Sequence, residues 1–155
     1  MREPNMKRRA FFGPAALLVA GLAGGVPAAH AATDIVVPIT GIVSGQPESV
    51  SFSGQALINC RLVRDPDFGR PSLLLRIDLS GVSGVGSSTN AAYVVSSEEL
   101  VQRRLARSHV VVISFPFAAA DGTGTPQSAV AAFALDFDVN TGAVSGTGKV
   151  VTPRF

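Results

Sequence analysis

The sequence predicts an all-β domain: an antiparallel β-sandwich, or a partly closed barrel, of about seven short strands with one short surface helix. Three observations carry that expectation. Apolar and polar residues alternate over long stretches, Gly, Pro, Ser and Asn separate those stretches, and a single segment has the caps and charge order of a helix.

The clearest alternation lies in residues 50–62. Val50, Phe52, Gly54, Ala56, Ile58, Cys60 and Leu62 form one face, and Ser51, Ser53, Gln55, Leu57, Asn59 and Arg61 the other. Period two sustained this far marks a long strand with one buried face, and Gly54 in its middle predicts a bulge or bend. Leu73, Leu75, Ile77 and Leu79 repeat the pattern against Arg76, Asp78 and Ser80. Phe133, Leu135, Phe137 and Val139 repeat it against Asp136, Asp138 and Asn140. Residues 35–43 are rich in Ile and Val, but Pro38 cannot donate a ladder hydrogen bond, which predicts an edge strand. The nearly continuous apolar run 109–117 predicts a strand covered on both faces. Asn140-Thr141-Gly142, between two alternating runs, predicts a hairpin with a three-residue connection.

Residues 96–107 break the pattern. Ser96 and Glu99 are spaced as a capping box, acids lead, arginines follow, and Glu99 and Arg103 are four apart. These features predict the short helix, with Leu100, Val101 and Leu105 as its narrow apolar stripe.

The first 31 residues read as a separate unit. Arg2, Lys7, Arg8 and Arg9 precede an uncharged stretch at 10–26, and Ala29-His30-Ala31 offers small residues at a cleavage position. That order predicts a cleavable signal peptide over 1–31, a single β-rich domain over 32–155, and a periplasmic or extracellular address. A membrane anchor would need ~20 predominantly apolar residues, and this stretch is shorter and interrupted by Pro14. Lys7-Arg8-Arg9-Ala10-Phe11-Phe12 resembles the twin-arginine export signal of bacteria, which implies folding before export.

Charge and cysteine content narrow the functional classes. The chain has 13 basic and 11 acidic residues; four and one of these lie in the first 31, leaving nine and ten. A remainder so balanced lacks the basic stripe of a nucleic-acid-binding protein. Cys60 is the sole cysteine, so no intrachain disulfide forms, and its register with Ile58 and Leu62 predicts a buried thiol.

No constellation of catalytic residues stands out. His109 is the sole histidine after residue 31, no G-x-S-x-G motif is present, and one His with one Cys is too few for a zinc site. Asp136, Asp138 and Asn140 place oxygens at alternate positions as calcium loops do, but the glycine comes one position late and Thr147 replaces the bidentate acid. Alternation already explains those acids as the wet face of a strand. Asp65 and Asp67 form a second carboxylate pair within a turn-rich loop. Gly81, Gly84 and Gly86 lack the strand–turn–helix setting of a phosphate loop and predict a flexible connection. Arg103, Arg104, Arg107 and His109 predict a solvated face. The terminal Phe155 is a feature of outer-membrane barrels, but the aromatic girdles of such barrels are missing.

The expectation is therefore a non-enzymatic, exported binding or envelope-structural protein, with no catalytic, cofactor-binding or metal residues assigned. Its partner would be an unknown protein or small ligand, with no nucleic acid bound and no transmembrane segment in the mature chain. The alternatives are a small enzyme or calcium-dependent protein using Asp65, Asp67, Asp136 and Asp138, and a subunit pairing with a partner through the Pro38 edge strand.

Overall fold

A computed structural model describes residues 32–45, 47–64 and 69–153. The expected signal peptide, Asp65, Asp67 and Phe155 lie outside these residues. The described residues are all-β, with nine strands: β1 (Thr33–Val43), β2 (Val50–Arg64), β3 (Pro71–Asp78), β4 (Val82–Gly86), β5 (Ala92–Val95), β6 (Glu98–Arg104), β7 (Ser108–Ala119), β8 (Gln127–Phe137) and β9 (Val144–Val151). They form one sheet in the order β1-β9-β8-β7-β5-β4-β2-β3-β6, and a further β1–β2 ladder closes it into a partly closed barrel. The β1–β9 pairing is parallel, and every other ladder is antiparallel.

β2 organises the wall. One of its edges pairs with β1 along its length, and the other is shared by β4 near Val50–Gly54 and β3 near Leu57–Arg64. Between those two ladders, residues 79–81 oppose only Gln55 and Ala56, so the β3–β4 line carries a bulge. Gly54, at φ 148 and opposite Val82, adjoins the bulge, and a Cβ there would collide with the Gly81 carbonyl. The expected bend at Gly54 is present, and its cause is this close approach.

The expected alternation holds on β2, on β3 and on β8 as far as Phe137, where β8 ends. Val139, expected on the buried face, lies in the turn beyond it and is 46% exposed, and Asp138 and Asn140 belong to that turn rather than to a strand face. Phe52, Ala56, Ile58, Cys60, Leu73, Leu75, Ile77, Leu79, Phe133 and Leu135 all point inward and are buried. Phe52 packs edge-on against Phe115 and Phe117, with ring centroids 5.8 and 5.0 Å apart. Glycines make room for these rings. A Cβ on Gly84 would lie 2.6 Å from Val50 and 2.9 Å from Phe52, and one on Gly148 would lie 2.9 Å from Phe133. Alternating large and small inward residues fill the barrel.

Several expectations are corrected. Residues 98–104 form strand β6, not a helix: β6 pairs with β3 from Asp78↔Glu98 to Ser72↔Arg104. A helix this short gains little by itself, whereas the strand satisfies the exposed edge of β3. β1 is not an edge strand, because it pairs with β2 throughout and with β9 over Ile39–Gly41. Pro38, lacking an N–H, sits where the β9 ladder stops. β7 is covered on one face only: Val111, Ile113, Phe115 and Phe117 are buried, while Val110 and Val112 are 71% and 57% exposed. The Gly81–Gly86 stretch is the bulge and β4, not a flexible connection. The β8–β9 hairpin is present with Gly142 at φ 74. Asp138 and Ala143 make its last backbone pair, so the connection is one residue longer than expected.

Candidate binding surface

With the middle of the barrel filled by side chains, one hollow lies beside Thr33, Cys60, Leu62, Leu105 and Phe137 at its end, and others lie on the outer wall. A hollow of about 630 Å³ lies across β1, β2, β3 and β6. Sheet register builds it: Asp34 stands opposite Asn59, Asn59 opposite Arg76, and Arg76 opposite Leu100. Leu57, Arg61, Leu74 and Asp78 flank that row. The strand pleat aims all of these side chains outward, and the twist of the sheet makes their common face concave.

Four polar groups of this cradle, Asp34, Asn59, Arg76 and Asp78, are held by hydrogen bonds. Asn59 Nδ2 donates to Asp34 Oδ1 at 2.6 Å. Arg76 grips Glu98 with Nε and Nη2 at 2.7 and 2.8 Å, and this bidentate pair raises the Arg76 pKa. Asp78 accepts the Ser80 N–H at 2.8 Å, which holds its carboxyl below the ordinary range. Arg76 and Asp78 are thus fixed in their charged forms and unsuited to exchanging protons near neutrality. Between them Leu57 and Leu100 are 45% and 64% exposed. An apolar floor with a fixed polar frame suits recognition of another surface.

Among the described residues, those singled out from the sequence do not assemble into a catalytic group. His109 Nε2 lies 3.1 Å from the Ala106 carbonyl oxygen, and the ring stands opposite Leu135 in the β7–β8 ladder. Asp138 Oδ1 accepts the Asn140 and Thr141 N–H groups at 2.8 and 3.4 Å. It is the anchor of the hairpin turn, and those hydrogen bonds, Asn140 first, lower its pKa. Asp136 is exposed on β8 opposite Ser145. Among the described residues, no three His, Cys, Asp or Glu side chains are placed to hold a metal ion. Arg103 and Arg104 alternate on β6 and so point to opposite faces rather than forming one basic face.

Sequence reasoning missed Glu48. It is buried, and its carboxylate is engaged by Ser88, Thr89 and Tyr93. No local pattern reveals it, because its partners lie some forty residues away.

The inward face is apolar, and the outward face is mixed: Asp34, Asn59, Arg61 and Arg76 lie around the cradle, while Val36, Val94, Val110 and Val112 are exposed elsewhere on the wall. Among the described residues, no helix is long and apolar enough to cross a membrane. Fold and surface together define a side-chain-filled β-barrel with a cradle on its outer wall. No protein-family model, curated protein or solved structure matches the chain.

Proposed function

We propose that the chain is an exported, non-enzymatic β-barrel that acts by recognising a protein partner on its outer wall, through the cradle of Leu57, Leu74 and Leu100. Export rests on the order of charged, uncharged and small residues over 1–31. Recognition by the wall rests on one observation: Phe52, Phe115, Phe117 and Phe133 are at most 2% exposed and fill the middle of the barrel, which favours the wall over the interior as the binding surface. A shallow apolar floor framed by charges favours a protein surface over a small molecule, which needs a deeper enclosure.

A photo-crosslinking side chain at Leu57, in the cradle, is compared with one at Ser114 on the outer face of β7, in the envelope of producing cells. Adducts to one other protein species from Leu57 and not from Ser114 are expected. Equal yields from both positions, or none from Leu57, would sink the assignment.

A further inference from the structure

β6 is an unusual strand. Among the described residues it pairs only with β3, and six of its seven residues are exposed. Among the described residues no ladder joins β6 to β7, although β5 pairs with β7 through Val95↔Phe117 and that register, continued, would set Arg104 opposite Ser108. The barrel is split there, and β6 presents a free edge. Its backbone phase is fixed by two hydrogen bonds. Ser97 O accepts from Leu79 N, and Leu105 N donates to Pro71 O, so the odd-numbered residues face β3. The N–H and C=O groups of Glu98, Leu100, Gln102 and Arg104 therefore face outward.

The side chains on this edge are ordered by sign: Glu98, Glu99, Leu100, Val101, Gln102, Arg103, Arg104. An antiparallel copy centred on Val101 places Glu98 opposite Arg104, Glu99 opposite Arg103 and Leu100 opposite Gln102. The same register makes every outward-facing N–H and C=O in the strand meet an outward-facing partner. Centring on Leu100 or Gln102 instead sets the arginines or the glutamates against uncharged residues, and a parallel in-register pair stacks like charges. Charges on an edge normally discourage pairing; in this order they favour one antiparallel register over its neighbours and oppose the parallel pair. Glu99 and Arg103 share the face of buried Leu73 and Ile77 yet are themselves exposed, which leaves them available to a neighbouring strand.

We propose that β6 is a self-association strand: two copies of this chain pair their β6 edges antiparallel about a two-fold axis through Val101, extending the sheet from one molecule into the next. The axis stands perpendicular to the sheet, so the two Leu100 cradles adjoin on one outer surface. The inference is independent of what the cradle binds.

Charge reversal at exposed positions tests it, with sedimentation velocity over a concentration series on the purified full chain. The wild type is expected to double in mass with concentration. Glu99→Arg and Arg103→Glu each place like charges in register and are expected to weaken the dimer about tenfold or more. The double variant E99R/R103E restores opposite signs and dimerises again, and the two single variants, mixed, form a heterodimer. Far-UV circular dichroism checks that each variant keeps its strands. A wild type that stays monomeric, a dimer indifferent to the single reversals, or a folded double variant that stays monomeric would overturn the proposal.

Discussion

The Tyr93 hydroxyl donates to Glu48 Oε1 at 3.2 Å, joining the segment ahead of β2 to the inner face of β5. Both side chains are buried, Glu48 at 8% and Tyr93 at 7% exposure. The same carboxylate accepts Thr89 Oγ1 at 2.6 Å and the N–H groups of Ser88 and Thr89 at 2.7 and 3.0 Å. A Cβ on Gly86 would collide with it. Glu48 is therefore a clamp holding the β4–β5 turn against the end of the barrel. The donors stabilise the anion, Thr89 foremost, and lower the Glu48 pKa from 4.5 to about 2. Burial and the adjacent anion raise the Tyr93 pKa.

A carboxyl whose folded pKa lies below its unfolded one stabilises the fold above the unfolded value. That contribution is lost as pH falls from 4.5 through about 2. Glu48→Gln removes the anion and sets an amide against four donors. Urea midpoints taken from neutral pH down to pH 2 should show the variant well below the wild type at neutrality, with the gap closing below pH 4.5. Asp78, Asp121 and Asp138 have lowered pKa values as well, so the variant keeps some acid sensitivity. A gap constant with pH would refute the clamp.

Glu48 also marks what local sequence reading can reach. Alternation on β2, β3 and β8 fixed their inward faces because each residue's burial follows from its own parity. The bend at Gly54 was legible for a related reason, since a glycine inside an apolar run has few other uses. β6 was misread because Ser96, Glu99 and Arg103 fit helix spacing equally well. What decides the matter is the bare edge of β3 and the Arg76–Glu98 pair, 22 residues apart in sequence. Pro38 was legible as a ladder breaker, but its strand lies inside the ring because β9 pairs just beyond it. The cradle was invisible for the same reason: Asp34, Asn59, Arg76 and Leu100 form a row only after four strands are in register.

The glycines that face the core make a second prediction. Gly84→Ala replaces a residue of poor strand propensity, which alone would add about 0.5–1 kcal/mol of stability. The new methyl, however, meets Val50 at 2.6 Å and Phe52 at 2.9 Å, and overpacking of this kind costs about 1–3 kcal/mol. The steric term is the larger, so the variant should be less stable. Shortening the ring by Phe52→Leu should make Gly84→Ala less costly, giving a coupling that a double-mutant cycle in urea resolves. Additive effects would mean that Gly84 is not where the ring needs space.

Cys60 is 4% exposed, stands opposite Leu75 in the β2–β3 ladder, and has its thiol pKa raised by burial. The thiolate is the reactive form, so burial slows the chemistry twice, by withholding the anion and by blocking approach. An aromatic disulfide reagent at pH 8 should leave the native protein unlabelled and titrate one thiol after unfolding in urea. In intermediate urea the labelling rate should follow the fraction unfolded, because Cys60 pairs with Thr33 on one side as well as Leu75 on the other and is released only when both ladders open. Non-reducing electrophoresis should then run the protein as a single chain even where sedimentation finds a dimer, since the β6 contact is non-covalent. Rapid labelling of the native state would mean that the end of β2 opens by itself, and that the Cys60 end of the barrel is a separate, weaker unit of the fold.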